Sequence, residues 1–293
     1  MSVRVFAPAK LNLTLGVGRP GEDGMHTLQS VVVFADIGDI IEADSGEGLS
    51  LAIRGDFAHS LSDAFSGGDL DNLVLRAARA LAQAAKVPLN AKLTLQKHVP
   101  VASGLGGGSS DAAAALRALS SLWELKLSDD VLQGVARTLG ADVPVCLGGG
   151  PAWMTGLGEA WTPISAPPFA AVLVNPLQQL STALVYREFD RLKLGDDFAA
   201  SDAPCWRDRS EAITNIADAG NALIAAAQSL LPEIGVILET LRKDARVDYA
   251  SMSGSGATCF GLVSDLKAAE HLAADLRADH PNWWIVETEL AGA

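Results

Sequence analysis

Hydrophobic and polar residues alternate from early in the chain. Residues 10–17 (KLNLTLGV) put Leu11, Leu13 and Leu15 on one face of an extended segment and Lys10, Asn12 and Thr14 on the other. Residues 28–34 form an apolar, β-branched run, and 39–43 and 49–54 are shorter strand-like pieces with Gly and Asp between them. The period then changes. Leu73, Ala77, Ala80, Leu81 and Ala84 recur at helical spacing as far as Lys86, behind Asp71 or Asn72 as a cap, and residues 91–96 return to strand. Residues 110–122 and 129–139 predict helices, the Gly and Pro cluster at 148–158 predicts turns between short strands, and 170–175 reads as a buried strand. Beyond these come a helix at 182–192, an irregular polar segment at 195–209, helices over 211–230 and 234–243, a strand at 259–263, a helix at 265–278 and a strand at 284–289. The order predicts an α+β protein with two lobes and a cleft, divided near the proline-rich residues 163–168 into 1–165 and 166–293.

Composition narrows the function. The 293 residues carry 22 basic and 35 acidic side chains, a net charge of −13. With a pI near 4.7, partners held by clustered Lys and Arg, nucleic acid and anionic membrane among them, are not expected. An anionic ligand must be gripped locally. Three scattered cysteines, Cys146, Cys205 and Cys259, form no disulfide framework or zinc pattern and suit a reducing cytoplasm. The opening lacks a signal-peptide pattern, and prolines interrupt the one long uncharged stretch, at residues 160–186, so no membrane span is expected.

Three glycine-rich segments differ in what they can do. Residues 16–21 match GxGxxG, but another strand follows instead of a helix, so a hairpin loop is expected and not a dinucleotide site. Residues 103–111 (SGLGGGSSD) lie between a strand and a strong helix former. Glycines there let backbone N–H groups turn to a ligand, and the unpaired donors and dipole of the new helix favour an anion. That predicts a phosphate cradle without the Walker lysine, in preference to a flexible glycine connection capped by Ser109 or Ser110. Residues 253–258 (SGSGAT) form a second turn; alone, a tight strand connection explains them equally well. Lys10 and Asn12 could point together into a cleft, although a solvated strand face is the plainer alternative from pattern alone. Asp142, in GADVP, is either a turn residue or a functional acid, and His26 on its own reads as an ordinary loop histidine.

Taken in order, PAKLNL at residues 8–13, DGMH at 23–26, SGLGGGSSDAA at 103–113, GADVP at 140–144 and MSGSGAT at 252–258 resemble the GHMP kinases along nearly the whole chain. The PAKLNL start, DGxH and GLGGGSSDAA are closest to the branch that phosphorylates a cytidyl diphosphate sugar-alcohol on the non-mevalonate route to isoprenoids. The resemblance implies an N-terminal lobe like the second domain of ribosomal protein S5 and a ferredoxin-like C-terminal lobe. It implies ATP as phosphoryl donor, Mg²⁺, and transfer to the tertiary 2-hydroxyl of the methylerythritol moiety. Residue by residue, Gly104, Leu105, Gly106, Gly107, Gly108, Ser109 and Ser110 would wrap the ATP phosphates, with Lys97 and Asn72 also on the nucleotide side. Lys10 and Asp142 would be the catalytic pair, and Asn12, Met25, His26, Thr182, Tyr186, Gly254 and Gly256 would serve the substrate. Ser109 or Ser110 would offer a hydroxyl to the metal. The family commonly carries an aromatic residue where this chain has Met25, which shifts the expected cytosine contacts to His26 and Tyr186. A kinase for mevalonate or homoserine, or a nucleotide sensor without catalysis, are the competing readings; a sensor has no need of both Lys10 and Asp142.

Overall fold

The structure is a computed structural model that describes residues 2–64, 72–197 and 201–290. In chain order its elements are β1 (Ser2–Asn12), β2 (Gly16–Pro20), β3 (His26–Asp44), β4 (Leu49–Arg54), α1 (Ala58–Ala64), α2 (Leu73–Ala85), β5 (Ala91–Gln96), α3 (Gly107–Leu122), α4 (Asp129–Leu139), α5 (Val143–Gly148), β6 (Ala152–Thr155), β7 (Ala160–Pro163) and β8 (Phe169–Asn175). There follow α6 (Thr182–Arg191), α7 (Arg209–Ala219), α8 (Ile224–Leu230), α9 (Glu233–Lys243), β9 (Val247–Met252), β10 (Cys259–Val263), α10 (Leu266–Asp279) and β11 (Trp284–Leu290). Two compact units interleave along the chain: the first draws on residues 1–9, 37–101 and 106–149, the second on 10–36, 102–105 and 150–293. Strands β1 and β3 contribute to both.

In the first unit β5 pairs parallel with β4 and antiparallel with the end of β3. Its helices obey the predicted periodicity. Asn72 caps α2 by accepting from Val74 N, and Val74, Leu75, Ala77, Ala78, Leu81 and Ala82 form its buried stripe. The alternative cap, Asp71, lies outside the described residues. Helix α3 buries Ala112 to Ala115, Leu116, Ala118 and Leu119, its alanines leaving room for α2 to pack closely against it.

In the second unit β11, β8, β10 and β9 form an antiparallel sheet in that order, with β8, α9, β9, β10, α10 and β11 in βαββαβ sequence, a ferredoxin-like arrangement. All seven residues of β8 are buried, as expected of a strand covered on both faces. Phe189, Ile237, Leu238, Leu241, Leu272 and Ala273 pack onto the sheet. The β2–β3 hairpin, pairing Gly16 with Gln29 and Pro20 with His26, confirms that residues 16–21 are a hairpin and not a dinucleotide loop.

Three expectations need correction. The strands predicted at 28–34 and 39–43 are one, because Gly38 does not break β3: β1 lies so close that a Cβ there would sit 2.8 Å from Pro8 Cα. Residues 10–17 are not one strand, since β1 ends at Asn12 and β2 begins at Gly16. Helix α3 starts inside the glycine run and not at Ser110; Gly106, at φ 60°, is its N-cap in a conformation costly to any residue with a Cβ.

Candidate active site

The first unit supplies an open helix terminus. The first backbone bond of α3 runs from Ser110 N to Gly106 O, so the N–H groups of Gly107, Gly108 and Ser109 precede the helix's own ladder. No acidic side chain occupies that first turn, and the partial positive charge there is free to meet an anion. Gly108 is exposed and Ser109 half-buried, whereas Ser110 is buried with its Oγ 3.4 Å from Cys146 Sγ. Asn72 flanks the turn, for a Cβ on Gly108 would meet Leu73 at 3.5 Å.

Lys97 is not a free phosphate ligand. Its ammonium donates to Asp39 and, at 3.1 Å, to Asp111, and all three side chains are buried. The second Asp39 oxygen accepts the N–H groups of His98 and Val99, at 2.6 and 3.0 Å. A Cβ on Gly107 would lie 2.9 Å from Lys97 Nζ, so this ion cluster lies directly beneath the first turn of α3. Burial works against the charge of Lys97, but the two carboxylates outweigh it and hold its pKa above that of an ordinary lysine. Burial is also the largest influence on Asp111 and pushes its carboxyl up to about 7. Asp142 stands just before α5, half-buried, and its side chain does not cap that helix.

The second unit gathers Lys10, Asn12 and the two remaining glycine segments. Lys10 and Asn12 are buried, contrary to the solvated strand face that pattern alone favours, and Lys10 Nζ donates to Asn12 Oδ1 at 3.1 Å. Asn12 Nδ2 donates to Ser30 Oγ at 2.7 Å, and Ser30 donates to the Thr14 carbonyl. Beside them Lys10 N donates to Leu105 O at 2.8 Å, while the Leu105 side chain belongs to the core, so Leu105 contributes backbone alone. Ser253 ties the cluster together: its Oγ accepts from Asn12 N and donates to Gly104 O at 2.8 Å. Gly104, at φ 79°, approaches the 253–256 turn so closely that a Cβ would lie 2.8 Å from Gly256 O. Asn221 braces that turn through the carbonyls of Met252 and Gly254.

Helix α6 serves two predicted substrate residues one turn apart. Thr182 Oγ1 meets Ser255 Oγ at 2.8 Å, and the Tyr186 ring lies 5.0 Å from that of His26. His26 Nδ1 is 2.9 Å from the Gly18 carbonyl, which fixes that nitrogen as a donor, and Nε2 faces Asp190 at 3.5 Å. Met25 beside it is exposed. Asp39, Ser30 and Asn221 escaped the sequence reading, since a lone Asp, Ser or Asn within a strand or turn carries no spacing signal, and Ser253 enters it only as part of the 253–258 turn.

The comparisons agree with this architecture. The family described as GHMP kinases N terminal domain matches residues 72–150, and GHMP kinases C terminal matches residues 198–282. A 4-diphosphocytidyl-2-C-methyl-D-erythritol kinase of Parvibaculum lavamentivorans is 46% identical over 98% of this chain and 97% of its own. One of Ruegeria pomeroyi is 47% identical over 97% of this chain and 98% of its own. The crystal structure of a 4-(cytidine 5'-diphospho)-2C-methyl-D-erythritol kinase superposes with a TM-score of 0.80 at 33% identity, covering 99% of this chain and 100% of that one. A mevalonate kinase from L. major reaches 0.68 at 15% identity, covering 100% of this chain and 96% of that one, and shares the fold alone. The chain therefore has the α+β GHMP kinase fold and belongs to the 4-diphosphocytidyl-2-C-methyl-D-erythritol kinase family.

Proposed function

We propose that the protein transfers the γ-phosphoryl group of ATP to the 2-hydroxyl of 4-diphosphocytidyl-2-C-methyl-D-erythritol, a step of non-mevalonate isoprenoid precursor synthesis. The observation that carries this reading is the open first turn of α3, which offers the N–H groups of Gly107, Gly108 and Ser109 and holds no acidic residue of its own. Phosphoryl transfer asks for in-line positioning and for positive charge at the equatorial oxygens. The α3 amides supply donors, Lys10 supplies the charge, and Asn12 fixes the Lys10 ammonium. Asp142 orients the acceptor hydroxyl or takes its proton. His26 and Tyr186 hold the cytidyl end, Thr182, Gly254 and Gly256 hold the polar remainder, and Met25 flanks them.

Among the described residues no group of three or more His, Cys, Asp or Glu side chains could hold a metal ion, and a Mg²⁺ would be held by the ATP phosphates with a serine hydroxyl beside them. Of the two serines named for it, Ser109 fits better, because Ser110 Oγ is buried against Cys146. Bound there, Mg²⁺ would neutralise charge on the β- and γ-phosphates. No helix among the described residues is long and apolar enough to cross a membrane, and we place the enzyme in the cytoplasm, acting on a small molecule without nucleic acid or membrane partners. Residues 1–165 would form the lobe of the phosphate loop and 166–293 the second lobe, a functional division that the interleaved packing units do not follow residue for residue.

The test is ADP release from MgATP with and without 4-diphosphocytidyl-2-C-methyl-D-erythritol, beside mevalonate and homoserine. Release that depends on the cytidyl substrate is expected. Turnover of mevalonate or homoserine alone would discard the substrate assignment, and slow ATP hydrolysis without a phosphorylated product would point to a sensor.

A further inference from the structure

Helix α5 has six residues, too few to keep its shape without neighbours, and Asp142 stands at its N-terminal end. Its seat is on α3. Ser110 and Arg117 are seven positions apart on α3, which puts them on one face two turns from each other, and both reach α5. Ser110 Oγ donates to Cys146 Sγ at 3.4 Å, and Arg117 Nη2 donates to the carbonyl of Leu147 near the end of α5. Helix α3 also carries the open amides of Gly107, Gly108 and Ser109 at its start. One helix thus holds both the phosphate turn and the support of Asp142.

A guanidinium taken partly out of water costs free energy unless acceptors replace its hydration, and the last carbonyls of a helix lack partners within that helix. Arg117 is half-buried and donates to such a carbonyl, where a cation also meets the negative end of α5. The backbone makes room for it. Gly149, the C-cap of α5 at φ 76°, lies so close to the guanidinium that a Cβ there would sit 2.8 Å from Arg117 Nη2. Gln133 of α4 also reaches α5, donating to Pro144 O, but at 3.3 Å and from a neutral amide, which makes it the weaker hold. Within α5 the link back to Asp142 is one bond, since Cys146 N donates to Asp142 O at 3.1 Å, and Gly149 N closes on Val145 O at 3.0 Å.

We infer that Arg117 is a positioning residue for phosphoryl transfer: by seating α5 on α3 it fixes where the Asp142 carboxylate stands relative to the phosphate turn. That role rests on the one given to Asp142 above. Eight to ten residues of helix, about 12–15 Å, separate Arg117 from the open amides of α3, so it acts through α5, to which it is bonded, and not on the phosphates.

Arg117→Met keeps an unbranched stem and removes the donors. By amide hydrogen exchange, Cys146 and Gly149 should lose about tenfold in protection, the effect of one charged hydrogen bond, while the Ser110 amide, bonded to Gly106 O within α3, is unchanged. With both substrates saturating, kcat should fall at least about tenfold, since a misplacement of about 1 Å can cost about 10²-fold, and KM for ATP should stay within about twofold. Arg117→Lys, which keeps the charge and a donor, should recover most of the loss, and Arg117→Gln carries the same comparison if the Met variant does not fold. Added to Asp142→Asn, Arg117→Met should leave kcat within about twofold of that single variant, because an acid already removed cannot be misplaced. Unchanged protection at Cys146 and Gly149 would overturn the seating. A kcat within about twofold of the wild type, a KM for ATP that rises as kcat falls, or a loss that multiplies with that of Asp142→Asn would overturn the positioning role. A wild-type kcat in Asp142→Asn alone would remove the acid from the mechanism and leave Arg117 nothing to position, an outcome told apart from the others by that one variant.

Discussion

The ammonium of Lys97 lies 3.1 Å from Oδ2 of Asp111, while Oδ1 of the same carboxylate has no hydrogen-bond partner among the described residues. One ammonium thus serves two buried carboxylates, and Asp39 holds the larger share through two further backbone donors. Asp111 is the one left short of partners, and burial raises it from 3.8 to about 7. Between those values the folded chain keeps a proton that the unfolded chain releases. Stability therefore falls as pH rises through this window and levels off above it. Asp111→Asn mimics the protonated form and removes that slope. Thermal melts from pH 5 to 8 should show the variant gaining on the wild type as pH rises, at roughly 2–4 °C for each kcal/mol. A difference that stays flat or shrinks would mean that Asp111 ionises as an ordinary carboxylate. Lys97→Met should cost about 3–5 kcal/mol, because it strands two buried carboxylates.

Lys10→Met should lower kcat by about 10²–10³-fold, the usual effect of deleting one group that stabilises transition-state charge. Asp142→Asn should lower kcat strongly and leave KM for ATP nearly unchanged, since a loose transition state asks little of the nucleotide side at that residue. Steady-state kinetics on both substrates separates these outcomes. A near wild-type kcat in either variant would remove that residue from the mechanism.

Gly104→Ala adds a methyl group where backbone atoms already fill the space, at a φ of 79° that any L side chain resists. The left-handed conformation alone costs about 1–2 kcal/mol, and the overlap adds to it. The variant should melt earlier and bind nucleotide more weakly, as read by calorimetry with and without an ATP analogue. Gly134, with nothing within 4 Å of an added Cβ, is the control, and Gly134→Ala should melt no earlier than the wild type.

Tyr186→Ala removes the ring beside His26 and should raise KM for the cytidyl substrate about threefold to tenfold, the range expected of one aromatic contact. KM for ATP should stay put. Equal effects on both substrates would mean that the ring supports the fold and not the cytidyl contact.

The helices and most strands were legible because their periods are strong: β4, β5, α4 and β10 fall where alternation or helical spacing puts them. The glycine run ahead of a strong helix former made the open start of α3 legible by composition. What stayed hidden depended on contacts distant in sequence. Nothing near Lys10 says that Ser253, 241 residues away from Asn12, will hold Asn12 and Gly104 together. Lys97 reads as a candidate phosphate ligand until Asp39 arrives from β3 to claim it. Gly38 looks like a strand break in isolation and is instead the place where β1 and β3 touch.

The interleaving of the two units decides what can be taken apart. A single cut anywhere between residues 37 and 149 leaves the second unit without either its opening segment, 10–36, or its long C-terminal portion, 150–293. Residues 150–293 expressed alone would lack Asn12, Thr14 and the 102–105 segment against which the 253–258 turn is built, and Ser253 Oγ and Thr258 N would lose their partners. Such a fragment exposes unpaired backbone and apolar strand faces and should aggregate rather than fold. Nascent chains face the same constraint, since the backbone N–H of Asn12 in β1 must wait for Ser253, 241 residues later, before its partner exists.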